Sequence, residues 1–208
     1  RSVILNSLAK GSAVIKNYST AADCQATIGC IRELGVDITS TESTNDSSVS
    51  VNLQITSPGQ SNLSEPMTTL DAQNSGTTMR LLMGLLASAP IFSVISGDNS
   101  LRSRPMSRIS TPLSLMGANI IGRKNNSLAP LAIKGGGLSG IEYDMPVASA
   151  QVKSSLIIAA MFAKGETTLQ QPSLSRDHTE RMLKAMGADI SEDDLSIFVK
   201  PVSNLKPV

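Results

Sequence analysis

The sequence predicts an α/β (α+β) domain made of a βαβαββ unit used three times, and three observations carry that prediction. Three segments share a layout: SVILNSLAKGSAVIKNY then TAADCQATIGCIRELGVDI; TTMRLLMGLLASAPIFSVI then RPMSRISTPLSLMGANI; QVKSSLIIAAMFAKGETTL then RDHTERMLKAMGADI. Each runs from an apolar helix through a short break into a strand, then into an amphipathic helix and a further strand. The second helices close on Gly35, Gly117 and Gly187, the expected C-terminal caps. Extra strand candidates at 49–55, 130–133 and 195–199 complete the units. Units of about 1–60, 61–134 and 135–208 could close around a pseudo-threefold axis, with sheets outside and three roughly parallel helices inside. The helix N-termini would then converge on one face: the residues before Arg1, 74–78, and 149–153.

Taken in order, the first residues already read as the middle of a helix, so the chain is expected to be a piece of a longer one. Gly11, Pro90 and Gly165 mark the breaks before the first strands. Cys24 and Cys30 sit six apart on one helix, a spacing that suits neither a metal site nor a secreted disulfide framework. They are expected to pack as helix residues in a reducing cytoplasm. In the second inner helix Met79, Leu82, Met83 and Leu86 fall at i, i+3, i+4 and i+7, with Leu81 and Leu85 filling the other side. Ser75 or Thr77 can cap it. Its loop, Asn74-Ser75-Gly76-Thr77-Thr78, aims backbone N–H groups and a positive dipole end outward, which suits an anion; an ordinary cap explains it as well.

The segment GDNSLRSRPMSRI offers Arg102, Arg104 and Arg108. Pro105 fits the first helical position, which would place Arg104 at the mouth of that helix, where its planar fork could clamp a phosphate or carboxylate. Arg102 and Arg108 read as surface charges. The glycines of KGGGLSG, 134–140, read as a hairpin or inter-unit turn without Walker or Rossmann spacing. In the third inner helix Val152, Leu156, Ala159 and Ala163 make an apolar stripe. Ser149, Ala150 and Gln151 stand at its start, as caps or as ligands for a phosphate or sugar-like hydroxyl. Lys153 reads as a surface or rim charge, and Asp177 with Glu180 as a capping box. Ser175 and Arg176 lie just before that last helix, and His178 is the only histidine.

Bulk composition narrows the function. Lys plus Arg is 18 against 17 for Asp plus Glu, which leaves no electrostatic footprint for nucleic acid or an acidic membrane. Trp is absent, with 2 Tyr and 3 Phe, so stacking platforms for bases are few. No apolar run is long enough to span a bilayer. The residues point to an anion-binding face without a proton-transfer pair. No metal or cofactor is expected.

Four ordered blocks then carry a resemblance: LDAQNSGTTMRLL, GDNSLRSRPMSRISTPLSLMGA, PVASAQVKSSLIIAA and SRDHTERML. From Arg1 to its end the chain resembles the N-terminal-side domain of the 3-phosphoshikimate 1-carboxyvinyltransferase (EPSP synthase) family, whose first block reads LDAGNSGTTMRLL. The resemblance implies two domains of three such units each. It implies transfer of the enolpyruvyl group of phosphoenolpyruvate to the 5-hydroxyl of shikimate 3-phosphate, with release of phosphate. By the same resemblance Arg1, Ser149, Ala150, Gln151, Ser175 and Arg176 contact shikimate 3-phosphate. Asn74, Gly76, Arg104 and Gln151 border phosphoenolpyruvate. Ala150 with Ser175 and Arg176 is similar to the glyphosate-tolerant branch, whereas Gly76 keeps the glycine form.

Two departures stand out. Gln73 replaces a glycine whose place could demand positive φ. The chain also stops near LKPV, so the family's catalytic Asp, Lys and Glu fall in a second domain outside it. The segment alone is expected to be monomeric and inactive. The readings that compete are a UDP-N-acetylglucosamine enolpyruvyl transferase-like enzyme and a non-catalytic anion- or RNA-binding module. Cysteines in a helical pattern argue against the first, and balanced charge with few aromatics against the second.

Overall fold

The computed structural model describes residues 1–45 and 48–208. The first stretch runs α1 (Ser2–Asn6), β1 (Gly11–Tyr18), α2 (Ala22–Glu33), β2 (Asp37–Asn45) and β3 (Ser48–Ser57). The second runs β4 (Leu70–Asp71), α3 (Gly76–Ser88), β5 (Phe92–Ser96), α4 (Asn99–Ser103), α5 (Ser107–Leu115), β6 (Asn119–Gly122), α6 (Arg123–Asn126) and β7 (Leu128–Lys134). The third runs β8 (Glu142–Asp144), α7 (Ala150–Ala160), β9 (Thr167–Gln170), α8 (His178–Ala185), β10 (Ile190–Asp193) and β11 (Ser196–Val199).

The second and third stretches build sheets of the same order, β4-β5-β7-β6 and β8-β9-β11-β10. In both, the first pair is parallel and the other two are antiparallel. The first sheet, β1-β3-β2, has the same antiparallel part and, among the described residues, no strand in the place of β4 or β8. Burial alternates along β7, β9 and β11, so each sheet buries one face and exposes the other. Two short helices, α4 and α6, were not foreseen; α6 is a single turn that includes left-handed Lys124 and Asn125.

The core lies where the sheets' inner faces meet α1, α3 and α7. Met79, Leu81, Leu82, Met83, Leu85 and Leu86 are all fully buried, as the all-round apolar pattern of α3 predicts. The stripe of α7 is buried too, although the helix ends at Ala160, so Ala163 packs from the turn that follows. Gly35, Gly117 and Gly187 take positive φ of 82°, 101° and 93° just beyond α2, α5 and α8, confirming the predicted caps.

Helices α3 and α7 touch through backbone. A Cβ at Gly84 would overlap the Ser155 carbonyl oxygen. One turn or two earlier, Gln151 Nε2 donates to Thr77 Oγ1 at 2.9 Å. Both helices advance in the same direction between these contacts, so they run parallel with their N-termini side by side. Cys30 is buried and Cys24 half-buried, both free. No helix among the described residues is long and apolar enough to cross a membrane, and no cluster of His, Cys, Asp or Glu there could hold a metal ion.

Candidate functional site

The site begins where α3 and α7 stop being buried. Thr77 and Arg80 are the only residues of α3 that are not buried, and Gln151 is the only one of α7. These three are bonded to one another: Arg80 Nη1 donates to Gln151 Oε1 at 2.9 Å, and Gln151 Nε2 donates to Thr77 Oγ1. A cavity of about 220 Å³ opens beside them, lined by Arg80, Arg108, Met106, Ser149 and Gln151 among others. Arg80 was not singled out from the sequence. The available signal was its position as the sole charge on the otherwise apolar α3.

Of the two candidate caps for α3, the structure uses Ser75, whose Oγ accepts from Thr78 N at 3.1 Å. The loop before it holds Gln73 at φ 50°, so this residue takes the left-handed conformation that a glycine would occupy more easily. Asp71 Oδ1 accepts from Gln73 N at 2.8 Å and braces that turn. Asn74 is exposed, and its Nδ2 donates to Asp98 Oδ2 at 2.7 Å. The N–H of Leu101 and then the Asn74 amide hold the exposed Asp98 carboxyl below its ordinary range.

Arg104 is placed differently from the expectation. Helix α5 starts at Ser107 with Met106 in the capping position, so Pro105 is not its first residue. Arg104 instead closes the C-terminus of α4. From there its Nη2 donates to Asn74 Oδ1 at 2.5 Å and to Ser100 Oγ at 3.2 Å, and its Nη1 to Asn74 O at 3.3 Å. Arg102 bonds the Asn99 side chain on the surface of α4, as a surface charge should. Burial lowers the pKa of the Arg80 guanidinium, and the charges of Arg104 and Arg108 add to the effect. Guanidinium stays protonated in proteins, so the shift records the burial of Arg80 first and the neighbouring positive charges second. Gly76 completes this corner: a Cβ there would lie 2.6 Å from Arg80 Nη1 and 3.4 Å from Arg104 Nη1.

A second cluster lies at the α7–α8 junction. Ser149 caps α7 through a long 3.5 Å contact from Val152 N. Ala150 is buried, and its carbonyl accepts from Ser154 Oγ at 2.6 Å. Ser154 Oγ shares a hydrogen with Thr179 Oγ1 at 2.7 Å, and Thr179 Oγ1 accepts from Arg1 Nε at 3.1 Å. Burial lowers the Arg1 guanidinium's pKa first, the charge of Arg176 next, and Glu180 opposes both. Ser175 Oγ donates to Gln171 Oε1 at 2.7 Å, while Arg176 is exposed. The structure thus gathers Arg1, Ser175 and Arg176 at one corner, and Asn74, Gly76 and Arg104 at another. Ser149, Ala150 and Gln151, at the head of α7, lie between the two corners.

Two expectations fail here. Lys153 is not a rim charge: it is 2% exposed and meets Glu180 Oε1, itself 0% exposed, at 2.5 Å. Nor do Asp177 and Glu180 form a capping box, because Asp177 makes no side-chain cap bond and Glu180 turns inward to the lysine. The capping pattern is common at helix starts and masked a buried ion pair. Again the signal was a sole charge on an apolar helix.

This arrangement sets arginines and helix N-termini side by side, a chemistry suited to anions. The chain belongs to the family of EPSP synthases (3-phosphoshikimate 1-carboxyvinyltransferases), whose model matches residues 1–208. Enzymes of that description from Syntrophomonas wolfei and Thermodesulfovibrio yellowstonii are each 48% identical to it, over 99% and 98% of this chain and 46% of their own lengths. The EPSP synthase structure from Acinetobacter baumannii superposes with a TM-score of 0.89 at 38% identity, covering 99% of this chain and 45% of that one. The chain therefore spans about half the length of these relatives and matches one part of a longer α/β fold.

Proposed function

We propose that this chain forms the shikimate 3-phosphate side of a 3-phosphoshikimate 1-carboxyvinyltransferase. In the reaction, the 5-hydroxyl oxygen of shikimate 3-phosphate bonds to C2 of phosphoenolpyruvate. The C2–O bond to phosphate breaks, and the hydroxyl proton ends, overall, on the released phosphate, giving 5-enolpyruvylshikimate 3-phosphate and phosphate. Here Arg1, Arg176, Ser149 and Ser175 take the 3-phosphate, while Ala150 and Gln151 meet the ring. Asn74, Gly76, Arg104 and Gln151 border phosphoenolpyruvate. Two βαβαββ-like units and an αβαββ one close around a pseudo-threefold axis to bring these starts together, and a second domain supplies the proton-transfer groups. With Cys24 and Cys30 both free, the enzyme suits a reducing cytoplasm.

The observation that carries this reading is the parallel pair α3 and α7, open to solvent only at Thr77, Arg80 and Gln151. Two aligned dipoles and a crowd of guanidiniums favour doubly charged ligands at one place. The UDP-N-acetylglucosamine enolpyruvyl transferase-like reading is disfavoured, because both cysteines lie within α2 and the Cys30 thiol is buried, donates to Asp71 O and is pushed up to about 12. The test is phosphate release from phosphoenolpyruvate by the 208-residue chain alone and by the full-length protein carrying it. Turnover is expected only from the latter and only with shikimate 3-phosphate. Turnover by the isolated chain would remove the need for a second domain, and indifference of the full-length protein to shikimate 3-phosphate would sink the assignment.

A further inference from the structure

We infer that the buried Lys153–Glu180 pair is a positioning device for the phosphate corner, holding Ser175, Arg176 and Arg1 in the geometry that meets one anion. This rests on the reading that those residues bind the 3-phosphate.

The pair joins three parts of the fold at one ammonium. Lys153 projects from α7, Glu180 from the first turn of α8, and Lys153 Nζ also donates to the carbonyl of Ser175 at 3.3 Å in the connecting loop. That loop runs from Gln171, which fixes the Ser175 hydroxyl, to Asp177 at the head of α8. Thr179, next to Glu180, receives the Arg1 guanidinium. Moving the ammonium would therefore release the Ser175 backbone and the α8 start together.

Stability alone is a poor reason for such a pair. Well-packed apolar residues of similar volume usually serve a core at least as well as two desolvated charges. Glu180 Oε2 moreover has no hydrogen-bond partner among the described residues, a shortfall that buried carboxylates rarely show. The Glu180 charge also acts on Arg1, against the repulsion that Arg176 exerts on it before any anion arrives. An apolar pair could fill the volume, yet it could neither hold the Ser175 carbonyl nor set a negative charge against Arg1.

The experiment compares Lys153→Met, Glu180→Gln and the double variant Lys153→Met/Glu180→Leu in the full-length enzyme, by steady-state kinetics and thermal melting. Each single variant is expected to raise the KM for shikimate 3-phosphate about tenfold, the loss of one charge-assisted hydrogen bond. The KM for phosphoenolpyruvate and kcat at saturation should stay within about twofold. The double variant should recover the wild-type melting temperature and keep the raised KM. Recovery of both would show that the pair is packing only and overturn the proposal, as would folded single variants with an unchanged KM. A wild-type enzyme that never saturates with shikimate 3-phosphate would overturn the functional reading itself, a result distinguishable because it needs no variant.

Discussion

Gln151 accepts from Arg80 Nη1 at 2.9 Å, so an uncharged amide on α7 sets the direction of a guanidinium on α3. The same amide donates to Thr77 and has no remaining freedom to flip, because reversing it would set its NH2 against the guanidinium and its carbonyl oxygen against Thr77 Oγ1, which could still donate its own proton. Gln151→Ala should leave the fold intact, since the site is half open, with a loss of about 1 kcal/mol in stability. It should lower kcat/KM for both substrates by about 10- to 100-fold, because Arg80 loses its guide beside the cavity that the proposed function assigns to the two ligands. Denaturant titration beside steady-state kinetics would separate the two effects.

Gly76→Ala should act on one substrate. Its new methyl meets the far end of Arg80, which can swing, so melting temperature should change little. The displaced guanidinium would move into the space bordered by Arg104, and the KM for phosphoenolpyruvate should rise about tenfold. An unchanged KM would mean that Arg80 does not face that ligand.

Gly84→Ala should be severe, for there the neighbour is the Ser155 backbone and cannot swing aside. Overpacking between two buried helices costs about 1–3 kcal/mol, occasionally more. The upper end is expected, read as a shift of the urea midpoint.

Thiol chemistry gives a prediction with a definite sign. Burial, followed by the charge of Asp71, pushes the Cys30 thiol from 9.0 up to about 12. The unfolded chain therefore loses this proton first as pH rises. The stability owed to burying the neutral thiol is complete below pH 9 and is lost progressively between pH 9 and about 12. In the native protein at pH 8, iodoacetamide should label half-buried Cys24 well before Cys30, as peptide mass mapping would show. Equal labelling would contradict the placement of α2.

Much of this was legible because periodicity reports burial. The apolar runs of α3 and α7 and the closing Gly35, Gly117 and Gly187 appear where the pattern puts them. Residues at helix starts, such as the Ser75 cap and Gln151, were legible for the same reason. What stayed hidden depends on partners distant in the chain. Lys153 and Glu180 meet across 27 positions, and local pattern explains each of them separately as a rim charge and a cap. Arg104 was misplaced because Pro105 suits a helix start, yet the chain inserts α4 and delays α5 by two residues. Gln73 shows tertiary context overriding propensity, since the turn keeps its positive φ without glycine. Left-handed strain of that order is worth about 1–3 kcal/mol, which the Asp71 bond and the packed helix behind it sustain.

The backbone contact at Gly84 has one more consequence. Helices pressed backbone to backbone at Gly84 cannot slide or splay there by small amounts, so α3 and α7 behave as a single stiff plate. The ordering entropy of the anion face is then settled when the chain folds, and little of it is charged to the ligand on arrival. Any motion that accompanies turnover must be carried by the segments around this plate. Calorimetry should accordingly show anion binding with a small entropic penalty and little change in the amide exchange of 81–88.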